Sequence, residues 1–118
     1  MITIFTTSRY TVHKPTLAGF TQKLMHSHQL DSYDVNIIFV GKRKMRSIAS
    51  TYGHGDVAKP VLTFGFKHDE MREDGPLLGE IYICYPQAIL LASEKGKTVD
   101  AMLEFLIDHG IKNLITHD

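Results

Sequence analysis

The sequence contains one cysteine, no tryptophan and no excess of either charge. The single Cys84 excludes a disulfide within the chain and is typical of a reducing compartment. Lysine plus arginine and aspartate plus glutamate number 13 each, so the chain has no net field that would attract nucleic acid or a membrane surface. Any RNA binding must therefore come from a local cluster of basic side chains.

Long apolar runs are missing too. No segment approaches the roughly 20 apolar residues of a membrane-spanning helix. The first ten residues lack the apolar core of a secretory signal, so we expect a cytoplasmic protein. A chain of 118 residues is long enough for one hydrophobic core. We expect a single domain over residues 1–118.

The hydrophobic pattern predicts an α/β (α+β) fold. Strand–helix–strand order favours right-handed parallel crossovers. Pro60 has no backbone N–H to donate to a neighbouring strand, which places the strand that follows it at an edge of the sheet. We expect a sheet of about four mixed strands with helices packed on it. Three of the strands should be parallel, and the strand after Pro60 should be the antiparallel edge. The predicted elements are a strand Met1–Thr6, a helix from Pro15 to His28, a strand Val35–Val40, a short basic helix after Gly41, a strand Val61–Phe66, a polar loop Lys67–Pro76, a strand Gly79–Cys84, a helix Pro86–Lys95 and a helix from Thr98 to the end.

The terminal helix carries the strongest functional signal. Thr98 is a suitable N-cap residue. His109 and Asn113 are four residues apart, so they lie on one face in successive turns and can address one metal ion. Gly110 has no side chain, which allows another group to approach the helix closely.

The same segment resembles the signature of the YbeY family of bacterial rRNA maturation endoribonucleases. That signature reads His-Gly-x-Leu-His-Leu-x-Gly-Tyr-Asp-His, and its three histidines hold a zinc ion. The matching positions here are His109, Gly110, Leu114 and Asp118. Asn113 stands at the second histidine, and the third would come one position after Asp118. The resemblance implies a zincin-like terminal helix, with His109 as a surviving ligand and Asn113 as an assisting catalytic group.

Further segments resemble the family in the right order. They are Val35–Val40, Met45 with Arg46, Val61–Phe64 and Leu78–Cys84. The loop Tyr52–Lys59 resembles the family's Tyr-Arg-Gly-x-Asp loop, but Gly53 stands where the arginine is usual. The resemblance implies metal-dependent cleavage of single-stranded RNA in 16S rRNA 3′-end maturation and ribosome quality control. It implies rRNA and the small ribosomal subunit as partners, with ribosomal protein S11 and an Era-type GTPase as further candidates.

The zinc site is incomplete in the sequence. One imidazole and one amide hold zinc weakly. His117 supplies a further donor if the helix continues, because it would follow Asn113 by four residues; otherwise it is a frayed, solvated end. Residues that follow Asp118 would be another source of zinc ligands. Without further ligands the alternative is a non-catalytic RNA-binding or ribosome-assembly relic, in which His109 is a hydrogen-bonded histidine of the core or cleft wall. A zinc protease is excluded, because Gly110 stands where such enzymes place a glutamate base.

A local basic cluster is present despite the zero net charge. We predict RNA contacts at Lys42, Arg43, Lys44, Arg46, His54 and Lys59. We expect the cleft between the edge strand and the terminal helix, and the resemblance to the family implies that His54 lies near it; the alternative is a solvated loop residue. For the basic run, the alternative is a solvated helix face. No aromatic residue is interleaved with the basic run, as RNA-stacking surfaces often have.

Overall fold

The computed structural model describes residues 1–65, 71–72 and 75–116. The elements are β1 (Ile2–Phe5), α1 (Lys14–Ser27), β2 (Asp34–Val40), α2 (Lys42–Thr51), β3 (Val61–Gly65), β4 (Met71–Arg72), β5 (Gly75–Cys84), α3 (Tyr85–Glu94) and α4 (Val99–Thr116). The predicted strands and helices are confirmed, with ends that differ by a few residues. None of the helices within the described residues is both long and apolar enough to cross a membrane.

The sheet is mixed, as predicted. Its order is β1-β2-β5-β3, with β1, β2 and β5 parallel and β3 antiparallel to β5 at the edge. One prediction was wrong in part: within the predicted loop Lys67–Pro76, residues 71–72 and 75–76 belong to strands, and residues 67–70 and 73–74 lie outside the described residues. β4 pairs with the beginning of β5, with Met71 opposite Pro76 and Arg72 opposite Gly75. The charge of this segment indicated a loop, and a strand of two residues is too short to show an alternating pattern in the sequence.

The helices cover the two faces of the sheet unequally. α1, α3 and α4 enclose the larger core, whose strand residues include Val35, Ile37 and Ile81. α2 covers part of the opposite face, where Met45 and other side chains form a smaller cluster. Because successive strand residues point to opposite faces, neighbouring positions of β2 and β5 belong to different clusters.

Two glycines set the distance between α4 and the sheet. A Cβ at Gly110 of α4 would lie 2.9 Å from Cγ2 of Ile81 on β5. A Cβ at Gly79 of β5 would lie 2.5 Å from the backbone oxygen of Phe64 and 2.6 Å from Cδ2 of Leu114. The close approach predicted at Gly110 is therefore an approach by the protein's own sheet.

The beginning of α4 is fixed by the predicted cap. Thr98 Oγ1 accepts a hydrogen bond of 3.1 Å from the backbone N–H of Ala101. Asp100 lies in the first turn, where the helix dipole favours an acidic side chain. The helix then presents its apolar face to the sheet as far as Leu114, which is buried.

Gly79→Ala tests this packing. We expect it to lower the free energy of unfolding by about 2 kcal/mol, the size typical of overpacking, because the new methyl meets a backbone oxygen that cannot rotate away. Gly19→Ala is the matched control, since Gly19 lies in α1 and an added Cβ there meets nothing within 4 Å. It should raise the stability by about 0.5–1 kcal/mol through helix propensity. Urea denaturation measures both, and equal stabilities would contradict the close packing.

Candidate functional site

A groove lies between the edge strand β3 and the last turns of α4, at the position predicted for the cleft. Its volume is about 360 Å³. The described residues that line it are His54, Val61, Leu62, Thr63, Gly65, Asn113 and Leu114. One wall is thus the outer edge of β3, which pairs with no further strand among the described residues. The other wall carries an amide side chain on a helix held close to the sheet.

His54 and Asn113 are brought together in this groove from positions far apart in the sequence. The backbone N–H of His54 donates a 2.7 Å hydrogen bond to the carbonyl of Ala49 near the end of α2. Gly53 and Gly55 on either side have φ values of +79° and +86°, a left-handed conformation that suits glycine. This turn fixes the backbone of His54 beside β3. The side chain of Asn113 is half-buried across from it.

His109 lies one turn before Asn113 but has a different environment. It is exposed and is not among the described residues that line the groove. It forms no hydrogen bond or ion pair with another described residue, while its neighbours Asp108 and Lys112 pair with each other at 3.0 Å. The His109 ring therefore lies outside the core, and its role as a metal ligand stays a prediction. The other predicted metal donor, His117, lies outside the described residues.

The described residues do not make a metal site by themselves. No three histidine, cysteine, aspartate or glutamate side chains among them are grouped so that they could hold an ion. His109 and Asn113 offer one imidazole and one amide, and an amide oxygen is a poor zinc ligand. A zinc site at this end of α4 would need donors from outside the described residues.

The basic helix α2 presents its cations to solvent. The side chains of Lys42, Arg43, Lys44 and Arg46 are all exposed. None of them forms an ion pair with an acidic residue in the described part of the chain. A groove of about 530 Å³ is lined by Arg43, Arg46, Ser47, Ser50, Thr51 and Asp56. The predicted Lys59 is half-buried before β3 and does not line this groove.

The fold adds an aromatic cluster that the linear sequence hides. The ring centroids of Tyr52 and Phe64 are 4.7 Å apart, and those of Phe64 and Tyr82 are 5.7 Å apart. These rings line a third groove, of about 470 Å³, together with Lys44 and Glu80. The pairing of β3 with β5 puts Phe64 and Tyr82 on one sheet face, so only the strand register could have revealed the cluster.

The side chains of Tyr82 and Cys84 have altered pKa values. Burial, followed by the charge of the Glu80 carboxylate, raises the pKa of the Tyr82 hydroxyl, so the phenol stays neutral at physiological pH. Burial also raises the pKa of the Cys84 thiol. Cys84 is fully buried, so it serves as a small core residue and not as a nucleophile.

The family model described as Endoribonuclease YbeY matches residues 4–118. This chain belongs to the YbeY family. An Endoribonuclease YbeY from Ureaplasma urealyticum is 35% identical over 80 residues, covering 68% of this chain and 50% of the relative. Another from Pseudomonas putida is 31% identical over 102 residues, covering 86% of this chain and 64% of the relative. The chain thus spans between half and two thirds of the length of these YbeY relatives.

A solved structure shares this fold. The solution structure of TM1509 from Thermotoga maritima superposes with a TM-score of 0.69 at 25% identity, covering all of this chain and 74% of the other. The departures from the YbeY signature at Gly53 and Asn113 therefore occur on a retained scaffold. Asn113 lines the groove directly, and Gly53 precedes the groove residue His54.

Proposed function

We propose that this chain acts on single-stranded RNA as a YbeY-like endoribonuclease in 16S rRNA 3′-end maturation and ribosome quality control. The observation that carries the proposal is the meeting of His54 and Asn113 in one groove, one helical turn from His109. Membership of a family whose relatives are named endoribonucleases supports the reaction class. The proposed setting is the cytoplasm, with rRNA of the small subunit as substrate and ribosomal protein S11 and an Era-type GTPase as further partners.

The chain's own side chains would bind and orient the RNA. The exposed cations of α2 neutralise phosphate charge, an interaction that weakens as salt rises. The Asn113 amide can donate to a phosphate oxygen and accept from a sugar hydroxyl. The ring nitrogens of His54 and His109 can each take part in a hydrogen bond to the RNA. Sequence-specific RNA recognition favours single strands with splayed bases, and a groove of this size suits one nucleotide better than a duplex.

Zinc is the cofactor that the resemblance implies. When bound, it would supply an open coordination position for phosphate oxygens and water. The described residues alone do not fit it, since His109 and Asn113 give a single good ligand. His117, outside the described residues, is the further donor that this chain offers.

The second candidate is a non-catalytic RNA-binding or ribosome-assembly protein of the same fold. One observation favours it: no group of three metal-binding side chains exists within residues 1–65, 71–72 and 75–116. Both candidates require RNA binding, and they differ in whether the bound strand is cut.

An RNA cleavage assay distinguishes the endoribonuclease from the non-catalytic RNA-binding protein. A labelled single strand with the sequence of a 16S rRNA 3′ end is incubated with the chain, with zinc and with a chelator. The endoribonuclease proposal predicts cleavage with zinc, reduced at least about 100-fold by His109→Ala, as expected for a positioned proton-transfer group or ligand. His28→Ala removes an exposed histidine at the end of α1 and should leave the rate unchanged. RNA binding without cleavage by the unaltered chain would support the non-catalytic candidate.

Asn113→His adds a test of the shared metal position that does not depend on activity. It restores the second histidine of the signature, four residues after His109. Zinc affinity, measured by competition with a chromophoric chelator, should rise because two imidazoles then face one ion. An unchanged affinity would show that positions 109 and 113 do not address the same ion.

The basic helix makes a separate prediction. The double change Arg43→Ala and Arg46→Ala should weaken single-stranded RNA binding. It should also lower the slope of log binding constant against log salt by about 1.4, since each contact with a single strand contributes about 0.7. Lys14→Ala with Lys23→Ala is the matched control, because it removes two positive charges from α1 on the opposite side of the sheet. Equal losses in both double variants would contradict a binding role for α2.

A further inference from the structure

The described residues cover only part of the sheet face that carries α2. Within the described residues, α2 is the one helix on this face, and it packs over Leu62 and Cys84. Farther along the same face, Phe64 and Tyr82 remain partly exposed. The open part of the face therefore presents aromatic side chains to solvent next to a helix rich in cations.

Tyr52 is the most accessible of these rings. It is the residue that ends α2, where its backbone N–H donates a 3.2 Å hydrogen bond to the carbonyl of Ile48. Its ring contacts Phe64 at a tilt of 52°, and Phe64 in turn meets Tyr82 edge to face. Tyr52 is nevertheless 62% exposed. The ring is thus supported from one side and open on the other, as a stacking surface requires.

The charges around this cluster fit a nucleic acid strand. Lys44 lines the aromatic groove, and Arg43 and Arg46 line the adjoining groove. Ser47 and Thr51 line both, so α2 separates a cationic side from an aromatic side. Proteins that bind single strands combine these same two elements, cations along the backbone and rings for the bases.

Each groove has one acid among its described lining residues, Asp56 in the cationic groove and Glu80 in the aromatic groove. Arg43 and Arg46 outnumber Asp56, whereas Glu80 faces Lys44 alone, so the sugar-phosphate backbone belongs over α2 and the base belongs in the aromatic groove. A carboxylate is an acceptor, and it suits the amino group of a base such as cytosine.

We propose that Tyr52, supported by Phe64 and Tyr82, forms a base-stacking subsite for single-stranded RNA. The inference rests on the proposed function and adds a second contact region to it. This subsite and the groove beside α4 flank the edge strand β3, and Gly65 lines both. One RNA strand can therefore cross the edge of the sheet, with a base held at Tyr52 and a neighbouring nucleotide at His54 and Asn113.

A short, unstructured RNA that contains 2-aminopurine tests the subsite in the full 118-residue chain. Stacking on Tyr52 should quench the probe. Tyr52→Ala should abolish the quenching and weaken binding by about 5- to 100-fold, the range for one base stacked on an aromatic ring. Tyr52→Phe keeps the ring and should bind as the unaltered chain does. Phe105→Ala is the matched control, because Phe105 is 51% exposed on α4 beside Lys97, outside the aromatic groove.

The outcomes distinguish this inference from the proposed function. Unchanged binding and quenching in Tyr52→Ala, or an equal loss in Phe105→Ala, would overturn the subsite while leaving RNA binding intact. If the unaltered chain binds no RNA, both the subsite and the proposed function fail. Tyr52→Leu keeps an apolar contact with Phe64, so the same loss in that variant with an unchanged melting temperature excludes unfolding as the cause.

Analytical ultracentrifugation shows whether the surface around Tyr52 pairs two copies of the chain instead of binding RNA. A surface that pairs two copies of the chain would make the unaltered protein a dimer and Tyr52→Ala a monomer, with the same RNA affinity in both. That combination would overturn the stacking subsite.

Discussion

The contact between α4 and the middle of the sheet determines the geometry of the candidate site. Gly110 lets the helix axis approach Ile81, and Gly79 leaves room for Leu114 and for the backbone of β3. Because the helix is held this close, Asn113 reaches the edge of the sheet and forms one wall of the groove there. The glycine that follows the first histidine of the YbeY signature thus has a structural role in this chain.

The chain has no net charge, but its basic and aromatic side chains are clustered on one part of the surface. Four exposed cations lie close together on α2, and the aromatic rings lie at its end and on the strands beneath it. The α4 groove begins on the other side of β3, with His54 in the turn that joins the two regions. Between the two regions lies β3, the edge strand of the sheet in the described part of the chain. Of the two departures from the YbeY pattern, Asn113 concerns the ligands at α4, whereas Gly53 follows Tyr52 and stands where an arginine is usual beside this surface.

Much of the fold could be predicted from the sequence, because its signals are local. The buried run of β2, the proline before β3 and the Thr98 cap each act within a few residues. The exposure of His109 could not be predicted, since it depends on how α4 is rotated against the sheet. The aromatic cluster depends on pairing Phe64 with the strand that carries Tyr82, which no local pattern encodes. The meeting of His54 and Asn113 was expected only through the resemblance to YbeY.

Photo-crosslinking tests the central claim, that the surface around α2 and β3 contacts single-stranded RNA, most directly. A single strand carrying 4-thiouridine is irradiated with the chain, and the crosslinked peptides are mapped by mass spectrometry. We expect crosslinks within residues 42–65 and near Asn113, and their loss when an excess of unlabelled single strand competes. Crosslinks concentrated in α1 or α3 would contradict the account.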